Sequence, residues 1–263
     1  MTRIADAFAM ARAEDRAALV GYLTAFDPDQ DGSLARLQAA CEAGLDVIEL
    51  GVPFSDPTAD GPDVAAAMVR ALASGASLGG VLRIAERLRA AVATPIVAFS
   101  YANPLLQRGA ERFAREAVAA GIDGVLVVDL PPEHAGLLRD AIVAAGLDWI
   151  GLVAPTTTPA RMDAVAAVTR GFVYAVTLRG VTGAALDVDA PALERQLASV
   201  RERFTVPVAA GFGIRTPAQV RALAPKVDGI VVGSALVRAG IEGVAPLRDL
   251  VSSLRAATSR SPA

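Results

Sequence analysis

The chain has few of the residues that disulfides, metal sites and nucleophilic triads require. Its 263 residues include one cysteine, Cys41, and one histidine, His134. A single cysteine excludes an intramolecular disulfide, and one cysteine with one histidine is too little for a His/Cys metal site. A Ser-His-Asp or Cys-His mechanism is disfavoured for the same reason. We therefore expect no bound metal, with Cys41 in the core and His134 in solvent.

The sequence also lacks an excess of basic residues and any long apolar run. A net charge of -3 gives no electrostatic reason to expect nucleic acid or an anionic membrane as a partner. The apolar run at 124–130 is far shorter than a membrane span. Charged residues between Arg3 and Arg16 leave no uninterrupted apolar core for a signal peptide. We expect a cytoplasmic protein that binds neither nucleic acid nor membrane.

A short phrase recurs along the chain and indicates repeated helix-to-strand junctions. Ala-Gly-(Leu/Ile)-Asp occurs at 43–46, 120–123 and 145–148, and Pro-Lys-Val-Asp stands at 225–228. Glycine can end a helix, aspartate favours the turn, and the apolar residues that follow can enter a sheet. Strand-like runs lie at 19–24, 47–52, 95–101, 124–130, 148–155, 171–177, 207–213 and 229–236, separated by alanine-rich helical segments.

Eight such units predict an α/β protein with the (β/α)8 TIM barrel fold. Near-continuous Val/Ile/Leu strands that alternate with helices are typical of a parallel sheet covered on its faces. The alternative is an open doubly wound sheet, but no Gly-x-Gly-x-x-Gly turn follows the first strand. An extra amphipathic helix from Arg3 to Ala13 could cover the amino-terminal end of the barrel. We see no linker, so we predict one domain spanning 1–263.

Two carboxylates stand out at the predicted carboxyl-terminal end of strand two. Glu49 closes an apolar strand and Asp60 follows in a loop rich in glycine and proline. Burial disfavours the charged form of a carboxyl group, so the pKa of Glu49 should rise toward neutral pH. The alternative is structural: Glu49 would pair with a basic side chain, and Asp60 would cap the helix that begins near Pro62.

Other polar residues share this end of the predicted barrel, where barrel enzymes build their active sites. They are Tyr101, Asn103, Asp129, Thr156, Thr157 and Tyr174. Three glycine-rich segments follow strands six, seven and eight: 180–183, 211–214 and 233–234. Backbone N–H groups at such positions can bind an oxyanion, and a helix after Gly233 would direct its positive end there. We predict a phosphate site formed without an arginine or lysine clamp.

Apolar side chains would form the middle of the same pocket. They are Tyr22, Phe99, Leu126, Val128, Val153, Tyr174 and Phe212. A phosphate end, an apolar middle and two carboxylates suit proton-transfer chemistry on an aromatic or otherwise apolar phosphate ester. The alternative is that most of these side chains fill the barrel interior.

The chain resembles the tryptophan synthase alpha subunit family over nearly its whole length. Five motifs match in order: Glu49-Leu-Gly-Val-Pro-Phe-Ser-Asp-Pro-Thr-Ala-Asp-Gly-Pro62, Tyr101-Ala-Asn-Pro104, Asp129-Leu-Pro131, Gly180-Val-Thr-Gly183 with Gly211-Phe-Gly-Ile214, and Gly233-Ser234. The resemblance implies a lyase that cleaves indole-3-glycerol phosphate to indole and glyceraldehyde 3-phosphate in tryptophan biosynthesis. It also implies a heterotetramer, alpha2beta2, with a beta subunit that receives the indole and holds the pyridoxal phosphate (PLP); this chain itself would hold no cofactor.

The resemblance also implies roles for individual residues. Glu49 would be the general acid and base, and Asp60 would accept a hydrogen bond from the indole N–H. The substrate would be bound by Tyr22, Phe99, Tyr101, Leu126, Tyr174, Thr182 and Phe212. Its phosphate would be bound by Gly183, Gly211, Gly213, Gly233 and Ser234. Pro53, Asp56, Pro57 and Asn103 would contact the beta subunit.

Three segments depart from the family pattern without removing a catalytic group. Thr177-Leu-Arg179 stands where a serine and two variable residues are usual, Ala65 replaces a frequent glutamine, and Phe26 lies in a turn that usually contains glycine. A stand-alone lyase that releases free indole is therefore a close alternative. A catalytically silent paralogue would be expected to lose Glu49 or Asp60, and a Schiff-base aldolase needs a strand-end lysine, whereas the single lysine, Lys226, precedes strand eight.

Overall fold

The computed structural model describes residues 2–177, 190–211 and 213–260, and within them eight parallel strands close into a barrel. Each strand pairs with the next in the sequence, and β8 pairs with β1. The strands are β1 (Ala18–Thr24), β2 (Val47–Gly51), β3 (Ile96–Ser100), β4 (Gly124–Val127), β5 (Asp148–Val153), β6 (Val173–Val176), β7 (Val208–Gly211) and β8 (Gly229–Val232). The predicted (β/α)8 barrel is confirmed.

Helices surround the barrel and connect its strands. They are α1 (Arg3–Ala13), α2 (Gln30–Glu42), α3 (Pro62–Ala73), α4 (Leu78–Ala91), α5 (Ala102–Arg108), α6 (Ala110–Ala119), α7 (Gly136–Ala144), α8 (Pro159–Ala166), α9 (Pro191–Arg203), α10 (Pro217–Leu223), α11 (Ser234–Glu242) and α12 (Val244–Ala256). Short 3-10 turns lie at Pro132–His134 and Ala224–Lys226. The predicted amino-terminal helix is present with the expected bounds.

Strand eight is shorter than the sequence predicts. The apolar run suggested a strand over 229–236, but β8 ends at Val232 and α11 begins at Ser234. Gly233, between them, has φ -117 and ψ -81, outside both strand and helix geometry. Because buried strands and buried helices can both be continuously apolar, the pattern of hydrophobic residues does not mark this break.

The recurring aspartates tie neighbouring strands together at the amino-terminal end of the barrel. The side chain of Asp46 accepts a hydrogen bond from Leu19 N at 2.7 Å. Asp123 accepts one from Ile96 N at 2.8 Å, and Asp228 one from Val208 N at 3.0 Å. In each case the aspartate lies just before one strand, and its side chain binds the backbone of the strand that comes before that one in the sequence. The repeated phrase therefore fixes strand pairing as well as the turn.

The amino-terminal segment closes this end of the barrel, which we call the floor. It reaches all four recurring aspartates through Thr2 to Asp148, Arg3 to Asp123, Arg12 to Asp228 and Arg16 to Asp46. On its other face α1 buries Ile4, Phe8 and Ala11. Polar contacts at the rim and apolar contacts inside thus hold the helix across the strands.

Within 2–177, 190–211 and 213–260, no single helix is long and apolar enough to cross a membrane. The consecutive helices α3 and α4 reach that length and composition together, but they meet at 102°.

Candidate active site

Glu49 lies inside the barrel on β2, level with Tyr22 of β1 and Val97 of β3. Its side chain is buried, and neither carboxyl oxygen has a hydrogen-bond partner among the residues that the structure describes. Burial raises the pKa of Glu49 to about 8, the direction that the sequence predicts. The structural alternative, an ion pair with a basic side chain, is wrong. Burial thus favours the protonated form of Glu49, which lines a cavity.

Asp60 lines the same cavity from the loop between β2 and α3. Its Oδ2 accepts a hydrogen bond from the Tyr101 hydroxyl at 2.7 Å. Burial raises the pKa of Asp60 to about 6, although the bond from Tyr101 opposes that rise. Gly61 is the residue that precedes α3 as its N-cap, and no side chain caps that helix. The alternative role of Asp60 as a helix cap is therefore wrong as well.

Tyr101 fixes the loop that carries Asp60. Its hydroxyl accepts a hydrogen bond from Ala59 N at 2.9 Å while it donates to Asp60. Its ring stacks on Phe54 at a centroid distance of 5.0 Å. Tyr101 does not line the cavity among the described residues, so it acts on Asp60 from behind.

Aromatic side chains line the cavity together with the two carboxyl groups. Tyr22 and Phe99 meet edge to face with centroids 5.0 Å apart, and both line the cavity. Tyr174 lines it from β6, and its hydroxyl lies close enough to Glu49 and Asp60 for their charges to raise its pKa. Burial is nevertheless the largest cause of that rise. These residues match the predicted apolar middle of the pocket.

Two glycines make room for the tyrosine hydroxyls. A Cβ at Gly51 would lie 2.3 Å from the Tyr22 hydroxyl, and one at Gly211 would lie 2.2 Å from that of Tyr174. Gly51 pairs with Thr24, two residues after Tyr22, and Gly211 pairs with Val176, two residues after Tyr174. The same packing relation thus occurs at β1–β2 and β6–β7.

The phosphate end of the predicted pocket is formed in part as expected. Gly213, Gly233 and Ser234 line the cavity with Glu49. Ser234 begins α11, and no side-chain hydrogen bond caps that helix. The first N–H groups of a helix have no partner within it, and they carry partial positive charge. The site is therefore suited to an anion.

Some predicted site residues lie elsewhere. Gly211 makes room for Tyr174 and is not among the described residues that line the cavity. Leu126 is fully buried in the barrel layer between Phe99 and Ile150. Thr182, Gly183 and Phe212 lie outside the described residues.

The cavity also has three lining residues outside the predicted segments: Val64, Arg215 and Val231. Ile214, from the predicted segment 211–214, lines it as well. Val64 lies four residues after Asp60 and Arg215 follows Ile214, so their neighbours in the sequence could have indicated them.

The predicted partner-facing residues differ in exposure. Asp56 and Asn103 are exposed, Pro57 is partly buried, and Pro53 is buried. The stack of Phe54 on Tyr101 joins the loop of Asp56 to the start of α5, where Asn103 lies. In the described part of the chain, no group of three or more His, Cys, Asp or Glu residues is placed to hold a metal ion.

The chain is similar to known proteins over nearly its whole length. A family model described as tryptophan synthase alpha chain matches residues 8–258. The tryptophan synthase alpha chain of Halorhodospira halophila is 48% identical over 264 residues, covering 98% of this chain and 96% of that protein. That of Gluconacetobacter diazotrophicus is 49% identical over 238 residues, covering 90% and 86%.

Solved structures agree with these sequence matches. A chain in the structure of Mycobacterium tuberculosis tryptophan synthase superposes with a TM-score of 0.93 at 40% identity, covering 99% of both chains. The tryptophan synthase subunit alpha of Legionella pneumophila superposes with a TM-score of 0.91 at 34% identity, covering 99% of this chain and 100% of that one.

Proposed function

Because the chain belongs to the tryptophan synthase alpha chain family, we propose that Glu49 and Asp60 divide the proton chemistry of its reaction between them. That reaction is the cleavage of indole-3-glycerol phosphate to indole and glyceraldehyde 3-phosphate, so the chain is a lyase of tryptophan biosynthesis. The observation that carries the proposal is the buried Glu49 carboxyl group without a hydrogen-bond partner among the described residues, in a cavity shared with Asp60.

Glu49 acts first as an acid. Its raised pKa keeps it protonated at neutral pH, so it can give its proton to the indole carbon that bears the glycerol phosphate. The resulting carboxylate then assists removal of the proton from the adjacent side-chain hydroxyl. The carbon-carbon bond breaks, its electron pair restores the aromatic indole, and the hydroxyl carbon becomes the aldehyde. Glu49 ends protonated, ready for another turnover.

Asp60 stabilises the positive charge that appears on the ring. With a pKa of about 6 it is largely a carboxylate at neutral pH, so it can accept a hydrogen bond from the indole N–H. That bond strengthens when protonation makes the ring cationic, which favours the transition state over the ground state. Tyr101 holds the Asp60 oxygen in place for this role.

The cavity lining supports a substrate with an apolar ring at one end and a phosphate at the other. We assign the ring to Tyr22, Phe99 and Tyr174, with Leu126 and Tyr101 supporting the wall from behind. The phosphate is assigned to Gly213, Gly233 and Ser234. By resemblance to the family, Thr182, Gly183 and Phe212 complete the site, and Gly211 contributes by leaving room for Tyr174.

The partner of this family is the beta subunit, and we propose an alpha2beta2 heterotetramer. The chain itself would need no cofactor, because PLP would be held by the beta subunit. We assign contact with the partner to Asp56, Pro57 and Asn103, with the buried Pro53 shaping the loop. That loop also carries Asp60, and the Phe54–Tyr101 stack connects both segments to it. Binding of the partner would thereby affect the position of the Asp60 carboxylate.

The first test measures indole release from indole-3-glycerol phosphate by the purified wild-type chain and by Glu49→Gln. We expect the variant to lose about 10²–10⁴-fold in kcat, because an amide cannot exchange the proton. Glu42→Gln, an exposed change on α2, is the matched control and should release indole at the wild-type rate. Near-normal turnover by Glu49→Gln would remove Glu49 from the mechanism.

The same assay with an added beta subunit distinguishes the coupled enzyme from a stand-alone lyase. A coupled alpha subunit should be stimulated by the partner, and Asp56→Ala with Asn103→Ala should weaken that stimulation without slowing the chain alone. Full activity alone, with no response to a beta subunit, would favour the stand-alone lyase.

A further inference from the structure

The turn between β7 and α10, residues 213–216, is held by one side chain. The Gln219 Oε1 accepts hydrogen bonds from Arg215 N at 2.9 Å and Thr216 N at 3.2 Å. Its Nε2 donates to the Gly213 carbonyl at 3.4 Å. The two ends of the turn are therefore fixed to the same amide group. Thr216 and Gln219 also form a capping box at the start of α10.

This arrangement orients the backbone at the cavity. Gly213, Ile214 and Arg215 line the cavity, whereas Gln219 does not. The Gly213 carbonyl accepts a hydrogen bond from Gln219, so a backbone segment that lines the cavity is tied to a side chain that does not.

Two further features make this turn a suitable wall for a phosphate. Gly213 has a φ of +81, which glycine adopts without strain and other residues avoid. The first N–H groups of α11 lie at the same cavity through Gly233 and Ser234. The turn 213–216 and the start of α11 thus line the same cavity.

We propose that Gln219 is a positioning residue for phosphate recognition: it fixes the turn 213–216, which lines the cavity beside Gly233 and Ser234, for contact with the phosphate of the substrate. This inference rests on the proposed function. It assigns to Gln219 a role beyond that of a helix cap.

The test compares the wild-type chain with Gln219→Met, which keeps the side-chain length but makes none of these hydrogen bonds. Inhibition of glyceraldehyde 3-phosphate release is measured with inorganic phosphate, which probes one end of the cavity, and with indole, which probes the other. We expect the inhibition constant of phosphate to rise about tenfold, because the turn that lines the phosphate end is no longer held in one conformation. The inhibition constant of indole should stay within about twofold. KM should rise while kcat changes little.

Thr216→Ala is the control for a purely structural role. It removes the hydroxyl that accepts from Gln219 N at 3.3 Å and leaves the bonds to Gly213 and Arg215 in place. We expect it to lower the melting temperature by about 2–4 °C without changing the inhibition constant of phosphate. If Thr216→Ala weakens phosphate as much as Gln219→Met does, the effect is loss of the helix cap and the inference is overturned.

Direct titration with inorganic phosphate separates this inference from the proposed function. Unchanged phosphate affinity in Gln219→Met, in a chain that still releases indole, would overturn the role of Gln219 alone. A wild-type chain that releases no indole even with a beta subunit present would overturn the proposed function, and weaker phosphate binding by Gln219→Met would still support the positioning role.

Discussion

Glu49 and Asp46 illustrate two surroundings that this barrel gives a carboxyl group. Asp46 is paired with Arg16 and accepts a backbone hydrogen bond from Leu19. Glu49 has no such partner among the described residues and is 1% exposed. Burying an unpaired charge costs more free energy than binding a proton does, so burial favours the protonated form of Glu49. The surroundings of each residue, rather than its chemical type, decide which one can act as an acid.

This difference predicts a dependence of stability on pH. Glu49 has an ordinary pKa of 4.5 when unfolded and about 8 when folded, so the folded state binds the extra proton between those values. Stability must therefore fall as pH rises through that window. Glu49→Gln removes this loss, and we expect the variant to gain on the order of a few kcal/mol over wild type between pH 6 and pH 9.

Urea unfolding at pH 6 and pH 9 measures this effect. Glu42→Gln serves as the control, since that side chain is half exposed and its substitution should leave the pH dependence unchanged. If the free energy of unfolding changed equally between pH 6 and pH 9 in wild type and in Glu49→Gln, the burial of an uncharged Glu49 would be contradicted.

Residue identity predicted the two carboxylates, but it did not predict how their neighbours divide the supporting roles. Tyr101, predicted to bind the substrate, donates a hydrogen bond to Asp60. Gly211, predicted at the phosphate, leaves space for Tyr174. Both contacts depend on distances across neighbouring strands and loops. A sequence pattern indicates which end of a strand a residue occupies, but not which side chain it meets there.

At the scale of elements, Phe26 and Gly80 form a matched pair between the β1–α2 loop and α4. Phe26 has a φ of 65°, in the left-handed region, which accounts for the glycine usual in this turn. Its ring packs on Gly80, where a Cβ would lie 2.5 Å from the ring. The strain at Phe26 is therefore offset by a buried aromatic contact that needs a residue without a side chain in α4.

A double-mutant cycle tests this pair. Gly80→Ala alone should destabilise the fold by about 1–3 kcal/mol, because the methyl group overlaps the ring of Phe26. In a Phe26→Gly background the same substitution should stabilise by up to about 1 kcal/mol, since alanine favours the helix. Chemical denaturation of the four proteins gives the coupling energy. Additive effects would mean that the two residues are not in contact.

Elements with a periodic pattern and clear end signals could be predicted well from the sequence. The bounds of α1 follow from its apolar face and the polar residues around it. The end of β8 could not be predicted, because the apolar residues continue from the strand into α11. The recurring Ala-Gly-x-Asp phrase indicated the junctions, but its hydrogen bonds to the preceding strand became visible only in the folded barrel.

At the scale of the whole molecule, the floor joins both ends of the described chain. Arg16 binds Asp46 with two hydrogen bonds of 2.6 and 2.7 Å, and its side chain is 6% exposed. Next to it, Ala17 N donates to the Thr258 carbonyl, and Arg260 N donates to the Asp15 carbonyl. The buried ion pair therefore lies where the first strand, the second strand and the last residues meet.

We expect Arg16→Met to cost about 3–5 kcal/mol, because it leaves the Asp46 charge buried without its partner. Arg87→Met, which breaks the exposed pair of Arg87 with Asp31, should cost less than about 1 kcal/mol. Thermal and urea unfolding of the two variants provide the comparison. If the two variants lost the same free energy of unfolding, burial at the floor would not strengthen the pair of Arg16 with Asp46.

The floor also determines how molecules pass through the barrel. Since α1 closes one end, the cavity in the described part of the chain opens at the carboxyl-terminal end of the strands. Gly213, Gly233 and Ser234 follow the ends of β7 and β8, whereas Glu49 lies within β2. In the proposed function, glyceraldehyde 3-phosphate would therefore lie between the indole and this opening. Departure of one product would be a condition for departure of the other, and a subunit bound over the opening would control the order in which the products leave.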